Sequence, residues 1–315
     1  MDQASASSPG RALNLADLQG DPARHRKENI VRTLFQAAAV ASIVISAAIV
    51  LSLIGKAITW VVDVDPGSLW SSGWYPRRGL FDLKTIVGET MLITLIAMLV
   101  ATPLGLGAAL FLSEYAKPRL RRVLKPILEI LASIPSVVLG VFALTWISPN
   151  IVKFIWDDAG IFNMAAAGIA VGVLVTPLVA SVSEDAMRAV PTALREASYG
   201  LGARKRTTTI GVVFPAAISG IVASLIIGAS RAIGETMIVA IAAGGTGGAS
   251  LTFDPSQAGQ TMTGAMTALA IGSDQVRGAD NAFDSLFFVG MLLFLMTLAL
   301  NVISERFVRR VRQRY

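Results

Sequence analysis

The chain has 315 residues, of which 54% are hydrophobic and 15% charged, and its mean hydropathy is +0.64. Soluble domains carry about 25% charged residues, so this composition indicates a membrane protein. The absence of cysteine excludes disulfides, thiolate metal sites and a cysteine nucleophile, and the one histidine, His25, has no second histidine with which to hold a metal. The net charge of +6 suits loops held against an anionic membrane surface, and no basic stretch is interleaved with base-stacking aromatic residues.

The amino-terminal segment, residues 1–29, is polar and lacks the apolar core of a signal peptide, so we expect a loosely ordered tail. The rest, residues 30–315, is predicted to be an all-α membrane domain, because six stretches contain the roughly 20 apolar residues that a spanning helix needs. Prolines in the third and fourth stretches, including Pro135 and Pro177, predict kinks or interruptions. The predicted spans are 33–62, 86–113, 127–148, 161–183, 213–243 and 284–304.

The distribution of Lys and Arg predicts the orientation of these spans. Of the 27 basic residues, 20 lie in the two termini and in the second and fourth loops, whereas 5 lie in the first, third and fifth loops. Short loops rich in Lys and Arg stay in the cytoplasm. We therefore expect both termini to be cytoplasmic.

The fourth loop, about residues 190–215, contains more structure than a connector needs. The sequence from Pro191 to Leu201 predicts a short helix, with proline in the first turn and apolar residues at helical spacing. Gly202 is expected to follow it in a sharp turn. A helix of about ten residues has little stability alone in water, so it should form against something. Spacing alone leaves two candidates open, a partner protein and the inner leaflet, which the basic run 204–206 would also suit.

This loop resembles the EAA loop of importer-type ABC transporter permeases. The family pattern is Glu-Ala-Ala, then three residues and Gly, then nine residues and Ile, then one residue and Leu-Pro. This chain keeps that spacing. It has Ser in place of the second Ala, Val in place of the Ile and Phe in place of the Leu. In that family the loop forms a coupling helix that seats in a cleft of a separate ATP-binding subunit, so the resemblance implies this role here. The matching residues are Glu196, Ala197, Ser198, Gly202, Val212, Phe214 and Pro215.

Four further stretches are similar to the permeases of the phosphate-specific Pst importer, and the sequence RAIGETM resembles the PstC type more than the PstA type. The resemblance implies a type I ABC importer permease in the bacterial inner membrane that forms part of the path of inorganic phosphate. It implies as partners a second, PstA-like permease, a PstB-like ATPase dimer and a PstS-like phosphate-binding protein. The four stretches are 103–118, 127–140, 195–203 and 228–237.

The chain contains no G-x-x-x-x-G-K-[ST] loop, the sequence that holds the phosphates of ATP in many ATPases. If ATP is used, another polypeptide binds it. ATP and Mg²⁺ are therefore expected on the partner ATPase, with no cofactor and no metal site in this chain. The chain itself is then a transport subunit rather than an enzyme.

Arg231 and Glu235 interrupt the fifth predicted span. They are four residues apart, which places them on one face of a helix, so they can pair. A charge at the centre of a spanning helix costs about 2.5–3.5 kcal/mol, and such residues generally face the bundle interior or a water-filled path. Two interpretations stay open. The pair fixes a helix contact, or Arg231 offers its donors to a tetrahedral oxyanion in the substrate path while Glu235 holds it in place.

Two more glutamates lie in or beside predicted spans. Glu89 belongs to a Gly-Glu-Thr sequence that recurs at residues 234–236, and Glu129 stands four residues after Lys125, with which it can pair. A structural role is favoured for both.

Two loops outside the predicted cytoplasmic face have notable composition. Residues 242–270 are rich in Gly, Ser and Thr, and we expect a short helix from about 256 to 271. Trp70, Trp74 and Tyr75 lie in the first loop, an aromatic cluster suited to the membrane interface or to docking of a partner, and anchoring at the interface is favoured.

Other functions are compatible with part of this pattern. An ABC permease for sulfate or molybdate would share the architecture and the buried arginine. An ion-coupled transporter or channel that does not use ATP would need no coupling loop. A membrane anchor would explain neither that loop nor the charges of the fifth span.

Overall fold

A computed structural model describes residues 22–245, 248–271 and 281–311 of the chain. These residues are mainly helical, and six of their helices are long and apolar enough to cross a membrane. Most of the predicted polar tail lies outside the described residues, although the first helix begins within it, at Pro22. The chain divides into two compact units after Ser52.

The elements follow one another with few long connections. Helices α2, α4 and α7 each include a π-helical segment, at Phe111–Tyr115, Ala143–Val152 and Thr209–Val213. A small antiparallel sheet, β1 (Trp74–Tyr75) and β2 (Leu80–Phe81), pairs Trp74 with Phe81. The helices are α1 (Pro22–Asp63), α2 (Leu83–Tyr115), α3 (Pro118–Ala132), α4 (Ser136–Ile155), α5 (Met164–Arg188), α6 (Thr192–Gly200), α7 (Lys205–Ile233), α8 (Met237–Ala242), α9 (Met262–Ile271) and α10 (Ser285–Val311).

The first unit contains the part of α1 that ends at Ser52. From Ile30 onward its sequence is mainly apolar, and Phe35 and Ile43 are 67% and 69% exposed. Such exposed hydrocarbon, along a helix longer than a bilayer core, is suited to contact with lipid.

Helix α5 lies at the centre of the second unit. Within the most apolar 18 residues of α5, 67% are buried, compared with 28% in the corresponding stretch of α2 and 22% in that of α7. It contacts α2, α4, α7 and α8, and the main apolar core gathers around it. The helix continues through Pro177, so the predicted interruption of the fourth span is not found there.

Small residues allow α5 to approach α2 closely. A Cβ atom added at Gly172 would lie 2.7 Å from the backbone oxygen of Ala97, and one added at Gly168 would lie 2.7 Å from the side chain of Ile96. No Cβ fits at such distances without movement of the neighbouring helix. Glycine at these positions therefore lets two membrane helices pack with their backbones close together.

A second apolar cluster joins the end of α1 to β2, α9 and α10. Trp60 is 1% exposed, and its indole N–H donates to the backbone oxygen of Asn281 at 2.8 Å. Trp74 is equally buried beside Phe81, with their ring centroids 5.8 Å apart. The prediction that Trp74 anchors the loop at the membrane interface is therefore wrong, because its ring completes this core. Trp70, which is 67% exposed, is the aromatic side chain that could take that role.

The third predicted span begins later than expected. The segment before it forms the separate helix α3, none of whose residues is buried, and the chain then breaks before α4. Pro135 causes the break, because proline disfavours a helical conformation in the residue before it. The predicted start at residue 127 is wrong, whereas the interruption expected at Pro135 is confirmed.

We predict that Gly172→Ala lowers the stability of the second unit, because the added methyl group pushes α2 away from α5. Overpacking of this kind costs about 1–3 kcal/mol. Gly107→Ala is the matched control on α2, since a Cβ at Gly107 meets no other atom within 4 Å. The measurement is the midpoint of thermal unfolding of the purified protein in detergent. Equal midpoints for the two variants would contradict the close helix contact.

Candidate functional site

The fifth predicted span, 213–243, is not one continuous helix. Helix α7 ends at Ile233, Gly234 caps it, and α8 begins only at Met237. Arg231 therefore lies in the last turn of α7, and Glu235 lies in the break that follows. The prediction that the two charges share one face of a helix is wrong, because the chain leaves the helix between them.

Arg231 and Glu235 nevertheless face each other across the break. Nη1 of Arg231 is 4.0 Å from Oε2 of Glu235, and the arginine side chain is 55% exposed whereas the glutamate is 4% exposed. The helix dipoles stabilise both charges, since a cation is favoured in the last turn of one helix and a carboxylate at the start of the next. A guanidinium has five donor N–H groups, so Arg231 retains donors for a second anion.

The two Gly-Glu-Thr sequences contact the same short segment, residues 260–263. Oε2 of Glu89 accepts the backbone N–H of Gln260 in a short hydrogen bond. On the other side, the hydroxyl of Thr263 donates to the backbone oxygen of Glu235 at 2.9 Å. The repeat thus marks two places, one in α2 and one between α7 and α8, that hold one connecting segment.

Glu89 is fully buried in α2, and its second oxygen, Oε1, has no hydrogen-bond partner. The side-chain oxygen of Gln260 is likewise buried without a partner. Since Glu89 satisfies a backbone N–H that is otherwise enclosed, the geometry supports the structural role favoured for it.

The segment before α9 covers the start of α5. The backbone oxygens of Pro255 and Gln257 accept the N–H groups of Ala165 and Met164, at 2.8 and 2.9 Å. These donors belong to the first turn of α5, where no intrahelical acceptor exists. The helix predicted from about residue 256 begins only at Met262, and the backbone groups before it serve α5 instead.

The predicted coupling helix is present as α6, one residue inside its expected bounds at each end. Gly202 follows with φ of +78°, a left-handed conformation that glycine adopts without strain. Glu196 and Ala197 are exposed, and Ser198 is partly buried, with its hydroxyl oxygen 2.9 Å from that of Thr208. These four motif residues therefore share one compact loop, with the first two open to a partner.

Pro215 lies apart from α6, near the start of the α-helical segment Phe214–Ile233 of α7, and is exposed. The motif thus extends from α6 into the next span. Its last residue lies inside α7, directly after the π-helical segment Thr209–Val213, where the regular pattern of α-helical hydrogen bonds is already interrupted.

Arg195 is a residue of α6 that the motif did not single out. Its guanidinium donates to the carboxylate of Glu114 at 3.0 Å and to the backbone oxygens of Val190 and Met187, at 2.6 and 2.8 Å. The only signal in the sequence is Glu114, a charged residue directly after the predicted second span.

Helix α3 is held to α5 by charged groups. Nζ of Lys125 is 3.0 Å from Oε2 of the buried Glu184 and 2.9 Å from Oδ1 of Asp185. The hydrogen bond that Lys125 donates to Asp185 raises the pKa of Lys125 above its ordinary value, and the hydrogen bond that it donates to Glu184 acts in the same direction. The expected pair between Lys125 and Glu129 is not formed, because the carboxylates of α5 bind the lysine instead.

Residues 101–315 match the profile of the family described as binding-protein-dependent transport system inner membrane component. Because the match covers more than half of the chain, this protein belongs to that family. It is a membrane transport subunit, a permease of ABC importers of the bacterial inner membrane.

Several curated proteins are similar to this chain over most of its length. The chain is 32% identical to the probable ABC transporter permease protein YqgH of Bacillus subtilis (strain 168), over 76% of this chain and 77% of that protein. It is 30% identical to the phosphate transport system permease protein PstC of Xylella fastidiosa (strain 9a5c), over 77% and 78%. It is 33% identical to the phosphate transport system permease protein PstC 1 of Mycobacterium tuberculosis (strain ATCC 25618 / H37Rv), over 73% and 72%.

Solved structures share the fold. An inward-facing structure of the MetNI methionine ABC transporter matches with a TM-score of 0.55 and 23% identity, over 72% of this chain and 94% of that one. A bacterial ABC transporter involved in the import of the acidic polysaccharide alginate matches with a TM-score of 0.60 and 14% identity, over 92% and 100%. The fold is that of a type I ABC importer permease.

We predict that Glu89→Leu destabilises the segment before α9, whereas Glu89→Gln does not. Leucine leaves the buried N–H of Gln260 without an acceptor, which costs about 1–3 kcal/mol, but glutamine keeps a carbonyl oxygen in that place. The measurements are the thermal midpoint in detergent and the rate of protease cleavage within residues 248–261. A Leu variant as stable and as resistant as the Gln variant would contradict the role given to Glu89.

Proposed function

We propose that this protein is one of the two permease subunits of an ATP-driven importer of inorganic phosphate. Two of the named relatives are phosphate transport system permease proteins of the PstC type, and the chain spans most of their length. The observation in this chain that carries the proposal is Arg231, a half-exposed guanidinium at a break in a membrane span, beside a buried carboxylate.

A single arginine suits transport of an oxyanion better than a cluster of arginines would. Phosphate loses most of its hydration when it enters a membrane protein, and a fixed positive charge offsets that cost. A site with several arginines would bind phosphate tightly and release it slowly, whereas passage requires entry and exit to be balanced. Glu235 keeps the guanidinium in position between passages and weakens its hold on the substrate.

Coupling to ATP takes place, in this proposal, at the exposed side of α6. Glu196 and Ala197 face away from the rest of the chain, where a PstB-like ATPase dimer would hold them and would bind ATP and Mg²⁺ itself. Closure and opening of that dimer then move the permease between its conformations. A PstA-like permease would line the path with this chain, and a PstS-like binding protein would deliver phosphate.

The proposed orientation places α6 and both termini in the cytoplasm, and the excess of Lys and Arg in those segments supports it. We predict that a single cysteine at Lys205 is inaccessible to an impermeant thiol reagent added to intact cells, whereas one at Phe253, which is 65% exposed, reacts. The chain has no cysteine of its own, so each label has one target. Labelling at position 205 without labelling at 253 would invert the topology.

The role of Arg231 is tested by removing its charge together with that of Glu235. We predict that Arg231→Gln with Glu235→Gln assembles in good yield, since removing both charges together leaves no buried carboxylate without a partner. Phosphate uptake per assembled complex should nevertheless stay low, because no fixed positive charge remains. The measurements are the yield after detergent extraction and the uptake of labelled phosphate by reconstituted vesicles.

The matched control is Arg309→Gln with Glu305→Gln, an exposed pair of the same spacing on α10. It should leave uptake unchanged. Normal uptake in the Arg231 and Glu235 double variant would reject the proposed role of Arg231. Transport of sulfate or molybdate in preference to phosphate by the unaltered complex would reject the proposed substrate.

A further inference from the structure

Helix α6 has little apolar attachment to the membrane spans. None of its residues is buried, and only Leu194, Arg195 and Ser198 are partly buried. A cleft of about 690 Å³, lined by Thr192 and Arg195 of α6 and by residues of α3 that include Lys125, lies beside it. Whatever fixes α6 to the spans must therefore act through a small number of side chains on one face.

Arg195 makes three hydrogen bonds from that face, and Leu194 packs beside it against an apolar cluster. The Arg195 guanidinium donates to the backbone oxygens of Met187, in the last turn of α5, and of Val190, in the turn that follows it. It also donates to the carboxylate of Glu114, at the end of α2. The arginine side chain is 17% exposed and the Glu114 side chain 5% exposed. The hydroxyl of Ser113 donates to the same oxygen of Glu114, at 3.2 Å. One side chain thus connects α6 to two spans at once.

We propose that Arg195 is the residue that transmits movement of α6 to α2 and α5, so that it couples ATP hydrolysis to transport without touching the ATPase. The proposal rests on the proposed function of α6 as the coupling helix. Arg195 is a positioning residue, since its donors are used within this chain. Glu196, the next residue, faces outward and would serve docking instead.

The planar guanidinium is suited to this task. It offers donors in a rigid fork, so that it can hold two backbone oxygens and a carboxylate in fixed relative positions. Charge-assisted hydrogen bonds are stronger than neutral ones, and little solvent reaches these to weaken them. The end of α5 has backbone oxygens without intrahelical partners, and a cation there is also favoured by the helix dipole. Movement of α6 would therefore displace α2 and α5 with it.

The test compares Arg195→Gln, Glu114→Gln, Glu196→Ala and the control Arg309→Gln in the complete complex, reconstituted with its binding protein. ATP hydrolysis, phosphate uptake and the amount of ATPase subunit retained are measured together. We expect Arg195→Gln to retain the ATPase subunit and hydrolyse ATP, while uptake per ATP falls about tenfold, the scale of a lost charged hydrogen bond. Glu196→Ala should lose ATPase subunit, and Arg309→Gln should match the unaltered complex.

Glu114→Gln is expected to lower uptake per ATP by a smaller factor, because Arg195 keeps both backbone contacts. The charge exchange Arg195→Glu with Glu114→Arg should not restore coupling, since a glutamate cannot donate to backbone oxygens. Unchanged uptake per ATP in Arg195→Gln would overturn the proposal, and so would loss of the ATPase subunit. If Arg195→Gln is not recovered from membranes, unchanged uptake per ATP in Glu114→Gln overturns it.

A second readout does not depend on the substrate. A single cysteine at Phe253 is labelled with and without a non-hydrolysable ATP analogue in the complete complex. The analogue should change the labelling rate in the otherwise unaltered complex and leave it unchanged in Arg195→Gln. An equal response in both would overturn the role of Arg195. Absence of phosphate uptake by the unaltered complex, with the labelling response intact, would instead refute the proposed substrate.

Discussion

The close contact between α5 and α2 is the constraint on which the rest of the structure depends. Gly168 and Gly172 bring the backbone of α5 against Ile96 and Ala97 of α2. Most residues in the most apolar stretch of α5 are buried as a result. In a membrane, where lipid is as apolar as a leucine side chain, such close packing replaces the hydrophobic effect as the force between helices. Because α5 is fixed at the centre of the unit, the segments around it can form hydrogen bonds with both of its ends.

Both ends of α5 are used to satisfy polar groups. At its start, Pro255 and Gln257 accept backbone N–H groups that have no partner within the helix. At its other end, Arg195 binds the backbone oxygen of Met187, in the last turn, and that of Val190, just beyond the helix. Unpaired backbone groups in a low-dielectric environment are costly, so these contacts fix the loops on both sides. The helix therefore links the segment that precedes α9 to helix α6.

The break between α7 and α8 shows how a membrane span accommodates charge. Arg231 stands in the last turn of one helix and Glu235 just before the next, so that each is stabilised by a helix dipole as well as by the other. The hydroxyl of Thr263 holds the backbone of Glu235 in the break. A continuous helix would place the same two charges on one apolar face, where neither dipole would act on them.

The sequence by itself determined the class of fold, the number of spans, and the short helix of the fourth loop with its terminal turn, because hydropathy, helical spacing and Gly202 act within one segment of chain. It also marked Arg231 and Glu235, since charge is rare in a span. Only the tertiary structure decided the start of the third span, the burial of Trp74, and the partners of Lys125 and Arg195. Those outcomes depend on which distant groups meet, and Glu114 lies 81 residues from Arg195. Local patterns cannot carry that information, because a buried polar group takes whichever partner the packed helices bring within hydrogen-bond distance.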